Sequence, residues 1–234
     1  MAAISEPESL ASDEQLTAHL ARHAFDRLIM LSDGIFAIAT TLAALEIRLP
    51  PGITDPLSAL AAMWRPLLAY AISFGVIGVL WASSRDLFAR LARVTRPITV
   101  LTLTFLCLVA LIPVGVGGIA QSSATAGFRI YAATMTIAGA LNAALWAYAG
   151  WAPGVMRAEV PAEYRWNRAL GAIAMPILFV PMTFLPLDRF YVVMFPSVLV
   201  IVVIRRRLLP RLLHKIFAED SPVETLEAEA SATP

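Results

Sequence analysis

Long uninterrupted apolar runs set the limits of what this chain can fold into. Stretches at 28–47, 66–83, 98–119, 128–151, 168–186 and 189–204 are dominated by hydrocarbon side chains. A helix needs about 20 largely apolar residues to cross the core of a bilayer, within a range of about 17–25. Backbone amides cannot stay unpaired in hydrocarbon, so such runs become helices, whose hydrogen bonds are internal. The 234 residues are 59% hydrophobic and 15% charged, against roughly 45–50% and about 25% in soluble domains. The pattern predicts an all-α, polytopic membrane protein with six transmembrane helices.

The basic residues predict its orientation. Arg22 and Arg27 precede the first span. Arg85, Arg90, Arg93 and Arg96 fill the second loop, and Arg157, Arg165 and Arg168 the fourth. Arg205, Arg206, Arg207, Arg211 and Lys215 follow the sixth span. The alternate loops carry little, Arg48, Arg129 and Arg189 among it. Lys and Arg accumulate on the cytoplasmic side, so both termini are expected there. Trp64, Trp81, Trp146, Trp151 and Trp166 lie near span ends, where interfacial anchors belong. Three units are expected. Residues 1–23 are a cytoplasmic segment with a short amphipathic helix over 10–23, capped by Ser12 or Asp13. Residues 24–209 are the six-helix membrane domain, and 210–234 an acidic, disordered cytoplasmic tail. The acidic N-terminus has no basic segment before an apolar one, so no secretory signal is expected. Pro176, Pro181 and Pro186 are expected to bend the fifth span, and Leu187 and Asp188 to form a tight turn before the sixth. Leu87, Leu91 and Val94 share one side of the second loop, which extends the second helix; the loop's arginines read as topology-setting charge or, less favoured, as lipid-headgroup ligands.

Little chemistry is on offer. No catalytic pattern, H-E-x-x-H or phosphate-cradling loop is present, so an enzyme is not expected. A net charge of +1 gives no reason to expect nucleic acid. His19, His23 and His214 lie outside the apolar runs, which argues against a buried metal site, and no cofactor is expected. Cys107 reads as helix packing, and Gly115, Gly117 and Gly118 as a flexible helix end.

The exception lies in the first span, R-L-I-M-L-S-D-G-I-F-A-I-A-T-T-L-A-A-L-E-I from Arg27 to Ile47. Ser32, Asp33 and Gly34 interrupt it. An ionised Asp near mid-membrane costs about 2.5–3.5 kcal/mol on insertion scales, so it marks a pathway, a relay or a helix-joining network. At 100° per residue, Ile38, Thr41, Leu42 and Leu45 fall within about 60° of one direction, and Asp33 lies about 140° from Ile38. Plain packing accounts for such a stripe on its own. For Asp33 two readings stand, a structural network or contact with an ion or substrate. Arg27 and Asp33 lie on different faces and are not expected to pair; Trp81, Ser83 and Ser84 at the end of the second span offer partners.

This segment resembles the R-x-x-x-F-S-D signature of the transmembrane protein 175 family of endolysosomal and bacterial potassium channels. The likeness continues, more weakly, through Ala69–Ala82 and Thr104–Val114, and six spans match the short, single-repeat bacterial members. Departures are Leu31 in place of Phe, Ser83 and Ser84 in place of a His pair, and Thr102 in place of Asn. The resemblance implies a homotetramer whose first helices line a central pore for K⁺ and other monovalent cations. It implies a constriction at Ile38, further aliphatic rings at Leu42 and Leu45, and a hydroxyl at Thr41 that helps select potassium. Arg27, Ser32, Asp33, Gly34, Trp81, Ser83 and Ser84 would form the structural network around this helix, and membrane lipids would be the other partners. Glu46 would concentrate cations at the outer mouth or pair with Arg48. The alternatives are a proton- or cation-coupled transporter that uses Asp33, though carriers usually show repeated halves, and a membrane scaffold without transport.

Overall fold

A computed structural model of the chain describes residues 6–48, 51–120 and 124–184. The described residues form five helices: α1 (Glu6–Leu45), α2 (Pro56–Arg90), α3 (Arg96–Ala120), α4 (Ala124–Trp151) and α5 (Ala162–Phe184). Each contains a segment long and apolar enough to cross a membrane: His19–Leu45, Pro66–Arg90, Arg96–Ile119, Thr125–Trp151 and Ala162–Phe184. The expected sixth span, Pro186, the turn at Leu187 and Asp188, His214 and the 210–234 tail lie outside the described residues.

Helix boundaries differ from expectation where polar residues continue a helix beyond the apolar run. α1 is continuous from Glu6, so the segment 10–23 is the first part of the spanning helix, and neither Ser12 nor Asp13 is its cap. Nothing between them and Arg27 breaks a helix. α2 extends past Leu87 to Arg90, as the spacing of the second loop anticipated, but stops before Leu91, its extended C-cap, and Val94; α5 starts at Ala162, ahead of the expected 168. Asp55 caps α2 in an extended conformation, with Pro56 in the first turn. Its carboxylate accepts from the Ser58 amide (2.8 Å) and hydroxyl (2.7 Å). The hydroxyl first, then the backbone amide, hold the carboxyl below its ordinary value.

Small residues decide how closely the helices approach. A Cβ on Gly115 would lie 2.8 Å from Tyr131 Cα, and one on Gly118 would lie 2.7 Å from Gly127 Cα. Gly115 and Gly118 are therefore contact points between α3 and α4 within a continuous helix, not a flexible end. Without a hydrophobic drive between helices in lipid, such close contact is what holds a membrane bundle together. Gly139 of α4 likewise leaves the notch that Pro176 fills, a Cβ there meeting Pro176 Cδ at 2.8 Å. α5 thus runs through Pro176 and Pro181 while packed on α4. Cys107, read as helix packing, is exposed on α3 among the described residues.

The second and fourth loops meet. Leu91 and Met156 form an antiparallel bridge, the Ala92 amide donates to Val155 O (2.9 Å), and the Arg157 amide to Arg90 O (3.0 Å). Gly154, at φ +68°, turns the chain where few other residues could, and Arg93 Nη2 donates to Pro153 O (3.0 Å). Both arginine-bearing loops therefore lie at the same end of the bundle.

Candidate functional site: the outer face of the first helix

α1 has two unlike faces. Leu28, Ser32, Phe36, Ala39 and Ala43 are buried, spaced four, four, three and four apart, the period of one helix side. Phe36 packs on Phe105 of α3, ring centroids 6.0 Å apart. The opposite side turns away from the subunit: Ile38, Leu42 and Leu45 are 57%, 44% and 72% exposed, against 3% for Phe36. Thr41 shares that exposed side. Its hydroxyl donates back to Ile38 O (2.9 Å) and Ala37 O (3.2 Å). The single proton is thereby used within the helix, and the oxygen offers lone pairs outward. Thr41 on this face is an acceptor, the polarity a cation needs. Gly34 is exposed, with open space where a side chain would stand.

Asp33 is tied to α2. Trp81 Nε1 donates to its Oδ1 at 2.8 Å, and Arg85 lies over the Trp81 ring, 5.5 Å from the centroid. Ser32, Asp33, Arg85 and Arg157 border one cavity of about 230 Å³. Arg27 is exposed and faces a different groove, which it shares with Arg96 and Thr99 at the start of α3. It forms no ion pair with Asp33 among the described residues, where the ion pairs are those of Asp86 with Arg90 and with Arg168. Glu46 does not pair with Arg48 among the described residues either. A Cβ on Gly117 would fall 2.3 Å from Glu46 Oε2, so the carboxylate folds over α3 at a place only glycine leaves open.

Ser83 and Ser84 do not reach α1. Ser84 donates to Leu80 O (3.0 Å) within its own helix. Ser83 sits between two residues of α4: Trp146 Nε1 donates to its Oγ (2.9 Å), and Ser83 in turn donates to Asn142 Oδ1 (3.1 Å). Trp146 is 1% exposed, so it is a core donor and not an interfacial anchor. Trp64, Trp151 and Trp166 are exposed, and the last two pack edge to face at 4.6 Å. Asn142, a single amide in an apolar run, was the signal that could have exposed this relay. Thr102 is buried, and its hydroxyl has no partner among the described residues. Below this relay Asp86 gathers Arg90, Arg168 and the Tyr164 hydroxyl (2.7 Å). The second-loop arginines therefore divide. Arg90 serves the bundle itself, and Arg93 braces the opposite loop.

These features define a class, a helical polytopic membrane protein whose first helix keeps an aliphatic and hydroxyl face exposed among the described residues. Comparison with known proteins finds likenesses over part of the chain. Residues 27–113, covering α1 from the signature arginine through most of α3, match the family described as endosomal/lysosomal potassium channel TMEM175. The resemblance read from Arg27–Ile47 is thus shown over that segment. A potassium channel of Streptomyces collinus is 42% identical over 89 residues, 37% of this chain and 43% of that protein. A potassium channel of Chamaesiphon minutus is 28% identical over 170 residues, 66% of this chain and 84% of that protein. One from a Chryseobacterium strain is 31% identical over 96 residues, 41% of this chain and 49% of that protein. The matched segment thus spans less than half of the Streptomyces relative. The crystal structure of a lysosomal potassium-selective channel TMEM175 homolog from Chamaesiphon minutus superposes with a TM-score of 0.62. It is 24% identical, and the match covers 79% of this chain and 99% of that one. The fold is that of this structure.

Proposed function

We propose that this chain is one subunit of a potassium-permeable cation channel of the bacterial inner membrane. Four copies place the outer faces of α1 around a common axis, with both termini in the cytoplasm. The observation that carries this reading is the division of α1. One side is packed against α3 and tied to α2, while the side with Ile38, Thr41, Leu42 and Leu45 is exposed among the described residues. That division falls within the segment matching the TMEM175 family. Lipid alone would accept aliphatic residues there, but it gives no use for an outward hydroxyl oxygen at Thr41 or a bare backbone at Gly34.

Four Ile38 side chains around an axis form a dry neck, which gates by dewetting. An ion entering it loses part of its water. K⁺ holds its shell more weakly than Na⁺ and loses less, and Thr41 Oγ replaces some of the missing water. Leu42 and Leu45 continue the apolar wall outward. Glu46, folded against Gly117, adds negative charge near the mouth and raises the local cation concentration. Asp33, hydrogen-bonded to Trp81, sets the tilt of the helix and does not meet the ion.

Rb⁺ uptake into liposomes containing only this purified protein tests the reading. Uptake driven by a K⁺ gradient is expected, with Rb⁺ and K⁺ preferred over Na⁺. Ile38→Asn places four amides in the neck, so the reversal potential should move toward equal K⁺ and Na⁺ permeability. An unchanged reversal potential removes Ile38 from the pore.

A further inference from the structure

The N-terminal end of the α1 segment His19–Leu45 carries two exposed histidines one helical turn apart. His19 and His23 approach edge to face, ring centroids 4.4 Å apart, and their Nε2 atoms are 3.0 Å apart. Two imidazoles at i and i+4 on one helix face are a recurring way to hold a transition metal. The distance between the nitrogens fits a pair of neighbouring ligands. With metal–nitrogen bonds of about 2.0–2.1 Å, two nitrogens 3.0 Å apart subtend about 90–97° at the ion. That is the right angle between neighbouring positions of an octahedral or tetragonal ion, and it is narrower than a tetrahedral site requires.

We propose that His19 and His23 form a bidentate site for a divalent transition metal of the Cu²⁺ and Ni²⁺ class. A turn of each ring about χ2 aims both Nε2 lone pairs at one ion, which replaces the hydrogen bond now joining them. No group of three metal-ligating residues exists among the described residues, so water or a second copy of the chain completes the coordination. Affinity follows the usual order, with Cu²⁺ above Ni²⁺ and Zn²⁺. The site stands on the helix that carries the candidate pore face, with no break between them: His23 precedes Ile38 by 15 residues, about 22 Å along the axis. Any influence of the metal on ion flow rests on the pore reading; binding itself does not.

The test uses the full chain in detergent with its purification tag removed and His214→Ala as the background. Titration with CuCl₂ and, separately, NiCl₂ at pH 7.5 should give one ion per chain. Cu²⁺ electron paramagnetic resonance should show two coordinating nitrogens. His19→Ala and His23→Ala should each weaken binding by tenfold or more and leave one nitrogen. Both positions are exposed, so an unchanged helical circular dichroism spectrum confirms that the variants fold. Equal affinity in parent and variants, or no saturable binding of either ion at 100 µM, overturns the site. In liposomes, Ni²⁺ should slow Rb⁺ uptake in the parent and not in His23→Ala. Bound Ni²⁺ with uptake unchanged overturns control by the metal. Absence of uptake in metal-free protein instead overturns the channel reading, and the binding result stands.

Discussion

The bond between Trp81 and Asp33 is the most direct handle on what holds α1 in place. Trp81→Phe keeps an aromatic ring beneath Arg85 and removes only the indole donor. A hydrogen bond to a charged group contributes about 1.5–3 kcal/mol in soluble proteins. Interhelical hydrogen bonds in membrane proteins average about 0.6 kcal/mol in double-mutant cycles. Asp33 is exposed within the subunit, so solvent weakens the charged bond and the value falls between these limits. We expect a coupling of about 1 kcal/mol, roughly fivefold in the folded-to-unfolded ratio. The assay is a double-mutant cycle of Trp81→Phe and Asp33→Ala, read by SDS-induced unfolding in mixed micelles. If the proposed pore face is right, reversal potentials of the single variants should match the parent, because neither residue shares the face of Ile38. Coupling below about 0.3 kcal/mol, the noise of additivity, refutes the tether. A shifted reversal potential with coupling intact refutes the separation of tether from pore.

Ser83→Ala strands two buried groups, Trp146 Nε1 and Asn142 Oδ1. It should cost about 1–3 kcal/mol, read as a lower denaturation midpoint with a red-shifted tryptophan emission. Gly118→Ala would place a methyl 2.7 Å from Gly127 Cα, where carbon contacts prefer about 3.5–4.0 Å. α3 and α4 must part, costing about 1–3 kcal/mol in thermal unfolding. The Asp55 cap should fail in acid. Its folded-state pKa is lowered by Ser58, so its contribution is complete above the unfolded value and is lost as pH falls through the folded one. Hydrogen exchange at the Ser58 amide should accelerate across that window in excess of the intrinsic pH dependence, and Asp55→Asn should abolish the excess.

What could be read in the sequence follows from range. Five spans were legible because apolar runs about 20 residues long have few other fates in a membrane protein. Asp33 was legible because a carboxylate in such a run must answer for its cost, and among the partners named from sequence, Trp81 holds it. The meeting of the second and fourth loops agrees with the basic residues they share. Contacts between distant helices were not legible. Trp146 sits near the end of an apolar run, as an anchor would, and only the packing of α4 on α2 turns it inward to Ser83. The glycines of α3 resemble a frayed terminus until Gly127 and Tyr131 are seen against them. Asp86 resembles one acid among loop arginines until α5 brings Arg168 and Tyr164 beside it. The extent of α1 was missed because polar residues that fold as helix look, in one dimension, like a separate segment.

The forty residues of α1 make a rod of about 60 Å, twice the thickness of the hydrocarbon core, about 30 Å. Half of it must therefore stand in water or headgroups. No proline interrupts the rod beyond Pro7, and Gly34 is its single glycine. A torque applied to the protruding half is carried along one unbroken helix to the aliphatic ridge, and Gly34, which has no side chain, is where that rod yields most readily.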